Sequence, residues 1–332
     1  MKRNHTGHRG IRLTNSQRGL SLVELMVSLA IGSFLIIGAM TVYSQNRASY
    51  ITNEQLARVQ ENAQFAFDVI EPKVRLASFW GQTSRPNDIA GAKTDIDENP
   101  LGLRTPGNDC GPGWSWDLRL PISGQNNDYS LACPPSHAVQ ASSDVLVVRH
   151  AGVEPAPAEA GRLQIRSSRV RGQLFDTGVE PDLAGGVTEE TFNLAVNAFY
   201  VAERSDLFDD YPSLRRKVLR TIGGAPVIQD EEVAPGVENM QVQFGLDTDG
   251  DNSVDRYINP GSGLMDPANA AFIPGTRVLS ARIWLLMRAQ EFETGVTDQR
   301  NYQFADVDLG VFNDRFRRLL VSKTVLLHNV RL

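Results

Sequence analysis

One long apolar run stands out near the start of the chain. Between Leu20 and Tyr43 the only charged residue is Glu24. At about 1.5 Å of rise per residue, a helix over this run is roughly 36 Å long, enough to cross a bilayer core of about 30 Å. The pattern therefore predicts a membrane-spanning helix that carries one acid about a turn inside its apolar segment.

A polar helix is predicted to continue this run through residues 44–79. Its apolar residues recur at steps of three to five positions, as a single buried stripe requires. They are Ile51, Leu56, Val59, Ala63, Ala66 and Ile70. Pro72 has no amide hydrogen and is expected to kink or end the helix near 68–71. The second half of the helix should then pack on a globular head.

Beyond residue 143 the pattern changes to that of strands. Seven segments alternate apolar and polar residues or are rich in β-branched residues, with Pro, Gly and Asp in the turns between them. They are 144–149, 163–170, 192–202, 214–222, 238–246, 277–289 and 316–330. Because no helices alternate with these strands, the sequence predicts an antiparallel sheet with one face on the long helix, which is an α+β fold.

Residues 81–143, between the helix and the strands, are rich in Gly, Pro, Asn and Asp and are predicted to form a loop-rich insertion. Both cysteines of the chain, Cys110 and Cys133, lie in it. In an oxidising compartment we expect them to form a disulfide that stabilises the fold by about 3 kcal/mol; two free buried thiols are the alternative. Trp114 and Trp116, which alternate as in a strand, are expected to cover this pair.

The charges around the apolar run predict its orientation. Residues 1–19 contain cations but no acid, whereas residues 44–58 hold two cations and one acid. The positive-inside bias therefore predicts a cytoplasmic N-terminus and an exported bulk. The formal net charge is −6 although the N-terminal segment is basic, so the rest of the chain is more acidic still. Such a chain lacks the basic face that nucleic acids require, and no nucleic-acid partner is expected.

Two simpler interpretations of the apolar segment are a secretory signal and a plain membrane anchor. A cleaved secretory signal could end at the small residues Ala30 and Gly32, but the apolar run continues well past them. A plain signal anchor explains the span and the orientation but not Glu24. An acid costs about 2.5–3.5 kcal/mol at the centre of a membrane helix, less near its end, and usually marks a functional site. We therefore expect Glu24 to interact with a partner.

The segment Arg18-Gly19-Leu20-Ser21-Leu22-Val23-Glu24-Leu25 resembles the processing site of type IV prepilins. The resemblance implies that a prepilin peptidase cuts after Gly19 and that Leu20 becomes the methylated N-terminus. Phe or Met is usual at that position, so Leu20 is a departure from the family. Glu24 becomes the fifth residue of the mature chain, where its carboxylate can pair with the N-terminal ammonium of a neighbouring subunit inside a filament of bundled helices.

Several further segments resemble the PilW family of minor pilins: ENAQFAF in the helix, VLVVRHAG, GVENMQVQFGLDTDGDNSVDRY and the C-terminal RRLLVSKTVLLHNVRL. The resemblance implies a pilin-like α+β fold and a non-enzymatic role in priming assembly of the pilus and capping its tip. The implied partners are the prepilin peptidase, other minor pilins, the major pilin, the inner-membrane assembly platform and a large tip adhesin.

These observations predict four parts of the chain: a basic leader at 1–19, a transmembrane and polymerisation helix at 20–43, a periplasmic half of the same helix at 44–79, and a β-rich head at 80–332 that contains the insertion. The protein is expected to cross the inner membrane once, with its head in the periplasm, and then to enter an extracellular pilus.

An acidic segment begins at Asp247 and resembles the opening of a calcium loop. Oxygen-bearing side chains occupy relative positions one, three, five, seven and nine, where they can converge on one ion. They are Asp247, Asp249, Asp251, Ser253 and Asp255. The sixth position holds Asn252 in place of Gly, and the twelfth holds Ile258 in place of the usual bidentate Glu. Calcium is therefore a candidate ligand but not a required cofactor, and an acidic turn between two strands is the alternative.

No enzyme motif is present. The histidines outside the leader, His137, His150 and His328, are scattered, and the sequence holds no HExxH, GxSxG or CxxC motif. The chain is therefore expected not to be an enzyme. Three alternatives to a minor pilin stay open: a minor pseudopilin of a type II secretion system, a membrane-anchored calcium-dependent adhesin module, and an anchored periplasmic enzyme.

Overall fold

The computed structural model describes Gly19 and residues 21–184, 188–266, 269–293 and 295–330. The chain divides into two compact units, Met1–Asn53 and Glu54–Leu332. The first contains the apolar part of the long helix, and the second is rich in β-strands. The predicted boundaries after residues 19, 43 and 79 concern processing and membrane entry, which contacts within one chain do not test, so they stay predictions.

The long helix, α1, runs without a break over Leu22–Leu76. Pro72 was expected to kink or end the helix near 68–71; the helix does not end there, and Pro72 lies inside it. Pro72 and Asp68 are both exposed, so water can satisfy the Asp68 carbonyl that proline leaves without a helical donor. Val74, one half-turn further on, is fully buried, and its packing holds the last turn in place.

The buried stripe of α1 begins later than the periodicity predicts. Val59, Ala63, Ala66 and Ile70 are buried as predicted, Phe67 and Val74 extend the stripe, and Ala77 continues it directly after the helix. Ile51 and Leu56 are exposed. Periodicity identifies the face of a helix that can be buried, but not the residue at which other elements begin to cover it.

Fourteen strands are described, in three sheets. The largest sheet has the order β1-β5-β4-β6-β3-β2, and β7 and β8 extend it beside β6. Its strands are β1 (Ile89–Ala90), β2 (Ile122–Gln125), β3 (Val145–Ala151), β4 (Ala160–Ser167), β5 (Gly172–Thr177), β6 (Glu190–Ala202), β7 (Ser213–Ile222) and β8 (Ala225–Pro235). All its pairings are antiparallel except β1 with β5.

A second sheet has four strands in the order β10-β9-β11-β14, all antiparallel. They are β9 (Val237–Asp247), β10 (Arg256–Ile258), β11 (Arg277–Arg288) and β14 (Arg318–Leu326). A separate hairpin of β12 (Asn301–Phe304) and β13 (Val307–Val311) packs on Leu286 and Trp284 of β11. One long helix on a mostly antiparallel head confirms the predicted α+β class.

One continuous core joins α1 to both larger sheets. The helix contributes its stripe from Val59 to Ala77, and apolar side chains of β3, β6 and β7 in one sheet and of β9, β11 and β14 in the other complete the core. The C-terminal strand supplies Val325, and Leu327 follows directly after it. The head therefore forms around the second half of the helix, as the buried stripe predicts.

The insertion at 81–143 has its own apolar cluster. Trp80, Trp116 and Leu118 are buried with side chains of β4, β5 and β6. Trp116 also donates from its indole N–H to the Glu98 carbonyl oxygen at 2.8 Å. The expectation of a strand at Trp114 and Trp116 was wrong, because they form a short 3₁₀ helix in which their backbone N–H groups bond the Gly111 and Gly113 carbonyl oxygens.

Candidate functional site

The predicted processing site lies at the start of α1. Gly19 is exposed and precedes the helix, Leu20 lies outside the described residues, and Glu24 is exposed in the first turn. No described atom lies within 4 Å of the place that a Cβ on Gly19 would occupy. The fold of the chain therefore does not itself require glycine here. The roles of Gly19, Leu20 and Glu24 stay predictions.

Glu24 has a second, local role that the sequence analysis missed. The Ser21 backbone N–H donates to Glu24 Oε2 at 3.4 Å, and the Val23 N–H donates to Ser21 Oγ at 3.2 Å. This reciprocal arrangement is a capping box, which satisfies N–H groups at the helix start that have no partner within the helix. The spacing Ser-x-x-Glu before an apolar run was the available signal.

The helix beyond Glu24 is long and apolar enough to cross a membrane by its length and composition. Its large apolar side chains are exposed all round the helix. They include Phe34, Leu35, Met40 and Tyr43, each about two-thirds exposed or more. The segment therefore presents an apolar surface suited to lipid or to neighbouring helices.

The predicted disulfide between Cys110 and Cys133 is present. Both cysteines are buried with Ile228 of β8, and Trp114 and Leu131 pack against the same cluster. The Tyr129 hydroxyl donates to the Cys133 carbonyl oxygen at 2.7 Å. The bridge thus closes a loop within the insertion, and the cluster around it packs on β8 at the edge of the large sheet. Trp114 covers the bridge as predicted, whereas Trp116 lies in the separate cluster with Trp80 and Leu118.

Replacing Cys110 and Cys133 together by serine is expected to lower the free energy of unfolding by about 3 kcal/mol and the thermal midpoint by roughly 5–10 °C. The cause is the greater conformational freedom of the unfolded chain. Thermal unfolding of the detergent-solubilised protein measures the effect. Reductant should lower the midpoint of the wild-type protein similarly and leave the double variant unchanged. Equal midpoints for the two proteins would contradict this assignment.

The acidic segment forms the turn between β9 and β10, so its flanks are strands. Ligand oxygens of Asp247, Asp249 and Asp255 all lie within 4.8 Å of one another. Asp251 instead accepts hydrogen bonds from the N–H and the hydroxyl of Ser253, at 2.7 and 2.5 Å. The structure therefore brings together three of the five predicted calcium ligands.

Hydrogen bonds and an ion pair already occupy the carboxylate oxygens of Asp247 in this turn. Asp247 is buried and accepts the Gly250 and Asn252 N–H groups, and Arg277 pairs with it at 2.7 Å. Burial alone would raise the pKa of Asp247, but these donors together hold the pKa below its ordinary value. The carboxylate is therefore ionised, as a metal ligand requires, yet it lies beside a competing cation.

Calcium binding by this turn stays a prediction. The three carboxylates fit a hard cation, and Asn252 adopts the left-handed backbone (φ 65°) for which such loops usually use glycine. Calorimetry with Ca²⁺ on the full-length protein, with Asp249→Ala as the control, tests it. Heat that the Asp249→Ala protein lacks would support a calcium site, and equal traces would leave an acidic turn.

Asp144, just before β3, is a buried carboxylate that the sequence analysis did not single out. It accepts the Asn127 N–H at 2.8 Å on one oxygen and the Val242 N–H at 2.7 Å on the other. It thereby links the insertion, the large sheet and β9. Burial raises the pKa of Asp144 to about 7, against the opposing effect of the two N–H donors.

This raised pKa predicts a pH dependence of stability. The folded chain keeps a proton on Asp144 up to about pH 7, whereas the unfolded chain releases it near pH 3.8. The folded state therefore binds more protons in this window, and the contribution of Asp144 to stability falls as the pH rises from about 4 to 7. From pH 5 to pH 8 the thermal midpoint of the wild-type protein should therefore fall relative to that of Asp144→Asn.

Asp144→Asn is the matched control because it keeps the side-chain shape and cannot ionise. Burial lowers the pKa of His150 to about 4, which makes stability rise with pH between about 4 and 6.5. This opposite trend is common to both proteins and cancels in the comparison. An identical pH trend in the two proteins would contradict the role of Asp144.

Other charged groups of the head hold its loops in place. Arg318 is buried and bonds carboxylates of Glu238 in β9, Asp298 and Asp314. His137 uses both ring nitrogens, with Asp206 at 2.8 Å and Arg204 at 3.2 Å, so neither nitrogen is left to activate a nucleophile.

Two family models match the chain. Residues 198–329 match the model described as type IV pilus-assembly protein W, PilW, and residues 14–40 match the prokaryotic N-terminal methylation motif. The first match begins within β6 and extends past β14, so it includes the acidic turn. The second includes Gly19, Leu20 and Glu24. No curated protein and no solved structure matches.

Proposed function

We propose that this chain, whose two family matches confirm its resemblance to the PilW pilins, is a minor pilin that primes assembly of a type IV pilus from its tip. The observation that carries the proposal is the presence of both matches in one chain, a methylation motif on an apolar helix and a pilus-assembly match over the head. PilW is a structural pilus-assembly family, in keeping with a non-enzymatic role.

The helix gives this proposal its mechanism. The methylation motif and the apolar helix are those of a membrane-anchored pilin. In the proposed sequence of events the prepilin peptidase removes residues 1–19, and the mature helix waits in the inner membrane with its head in the periplasm. It then leaves the lipid with the help of the assembly platform and packs among the helices of other minor pilins and the major pilin.

The size of the head supports a position at the tip. The second compact unit extends from Glu54 to Leu332 and carries an insertion with an internal disulfide. A subunit that repeats along a shaft has to fit between neighbours on every side, whereas a tip subunit is covered only from below. A large tip adhesin is the proposed partner above it.

Immunogold labelling of pili tests the position. Label at one end of each pilus is expected, together with a loss of pili in a strain that lacks the gene. Even labelling along the shaft would overturn the tip position, and normal piliation without the gene would overturn the priming role.

A pseudopilin of a secretion system is the competing function, because it would share the leader and the helix. The match over residues 198–329 is to a pilus-assembly family and favours the pilus. Deletion of the gene should therefore remove pili and leave protein secretion intact. The reverse result would assign the chain to a secretion system.

A further inference from the structure

The C-terminal strand β14 has one unpaired edge. It pairs with β11 along its whole length of nine residues, without a register shift. No other strand in the described ranges pairs with its second edge. The side chains of Leu320, Ser322, Thr324 and Leu326 are exposed. An unpaired strand edge presents a row of N–H and C=O groups that can pair with another chain.

The register identifies which backbone groups point outward. The Leu327 N–H donates to the Leu279 carbonyl oxygen at 2.9 Å, so the odd-numbered residues of β14 face β11. Facing residues of an antiparallel pair alternate between bonded and non-bonded, so the even-numbered residues direct both backbone groups to the free edge. Of these five residues, Arg318 is buried at the start of the strand, and the other four are those whose side chains are exposed. One edge therefore offers four donors and four acceptors beside an accessible, uncharged row of side chains.

The other strands at the ends of the described sheets are short, charged or irregular. β1, β2 and β10 have two to four residues each. β8 is longer, but it contains prolines and a run of acids, and its N-terminal half bonds Gly107 of the insertion. The β12–β13 hairpin has a register shift. Short length, proline, charge and bulges are the usual means by which proteins prevent pairing at an edge.

β14 uses none of these means on its outward side. It contains no proline, and its one mid-strand charge, Lys323, lies on the inner face. Lys323 pairs with Glu71 of α1 and lies near the Phe67 ring, so its charge is directed to the helix and away from the edge. Leu320 and Leu326 remain 37% and 47% exposed. The edge is thus long, regular and uncharged, which favours strand addition.

We propose that the free edge of β14 binds an extended, uncharged segment of another pilus subunit, which adds as a fifth strand to the four-stranded sheet. The inference rests on the proposed function, since assembly supplies the partner. Extended backbone is the occupant because only a strand can match the spacing of these donors and acceptors, and side chains beside the exposed leucines add the specificity.

Ser322→Pro in the full-length protein, expressed in its own host, tests the proposal. Proline removes an N–H that points to the free edge, so the thermal midpoint should stay within about 3 °C of the wild-type value. The yield of sheared pili should fall at least about tenfold, because the added strand loses a central hydrogen bond and meets the proline ring. Ser322→Ala keeps the N–H and should assemble normally.

Lys323→Pro, one residue further on, removes an N–H that faces β11 and should lower the thermal midpoint far more than Ser322→Pro. If Ser322→Pro does not fold, Thr324→Lys takes its place, because it leaves the backbone intact and puts a charge on the outward side. A photo-crosslinking residue at position 324 should form an adduct that mass spectrometry identifies as another pilus subunit.

Normal pilus yield from folded Ser322→Pro or Thr324→Lys protein would overturn the inference, as would an adduct with a second copy of this chain or no adduct at all. A strain without the gene shows whether the edge proposal or the proposed pilin function has failed. If the deletion removes pili while the edge variants restore them, only the edge proposal fails. If the deletion leaves pili intact, the proposed function fails.

Discussion

A Gly19→Val variant is expected to accumulate as an uncut precursor in the inner membrane and to support no pili. Nothing in the described structure contacts the position of the added side chain, so the chain should fold and insert as before. The effect then falls on the peptidase alone, which has to bind the backbone on both sides of the scissile bond. Since uncut chains keep a cationic leader before the apolar helix, they cannot leave the membrane.

The mass of the N-terminal peptide gives the result directly. The wild-type protein should begin at Leu20 with a methyl group on its amine, and Gly19→Val should keep residues 1–19. Gly38→Ala is the matched control, because Gly38 lies in the same apolar helix and also has no described atom near its added Cβ. A mature-length Gly19→Val protein would refute the cleavage site.

Glu24→Ala is expected to be cut normally but to lower the pilus yield at least tenfold. In the apolar core of a filament, the carboxylate can pair with the N-terminal ammonium of a neighbour, and the attraction is stronger there than in water. Loss of only about 1.4 kcal/mol from such a contact weakens association tenfold. Pilus yield and cleavage are measured in the same strain, so failed processing cannot be mistaken for failed assembly.

The capping box supplies a competing explanation for Glu24, and two further variants separate it. Glu24→Gln keeps an oxygen that can accept the Ser21 N–H but has no charge. Ser21→Ala removes the cap, at a typical cost of about 1 kcal/mol, and keeps the charge. Charge pairing predicts that Glu24→Gln fails and Ser21→Ala assembles. The opposite pair of results would make the carboxylate a helix cap.

The sequence predicted the elements whose pattern is local. The α1 helix followed from an apolar run and a helical stripe, and each of the seven predicted strand segments overlaps a strand. The strands that were missed lack a clear apolar pattern of their own. β8 carries Asp230 and Glu231, which look like a polar loop until Lys217 and Arg216 of β7 pair with them at 2.7 and 2.8 Å. β1 and β10 are too short to produce a pattern.

In the candidate site, too, the sequence predicted only the features that have a local pattern or a distinctive composition. The cysteine pair followed from composition and compartment, and Gly19, Leu20 and Glu24 from their spacing. The capping box was visible as Ser21-x-x-Glu24 and was overlooked. The role of Asp144 could not be predicted, because its partners lie in segments far apart along the chain, and only the folded structure brings the Asn127 and Val242 N–H groups to one carboxylate.

The core shared by α1 and β14 fixes the order in which the head can be completed. In the proposed orientation the stripe from Val59 to Ala77 reaches the periplasm first, and Val325 and Leu327, which pack in the same core, arrive last. Contacts between residues so distant along the chain form late in folding. Until they form, the apolar surface of the helix is exposed to aggregation and proteolysis. A chain cut short before residue 318 cannot close its core, so breakdown of unfinished heads would keep defective subunits out of the filament.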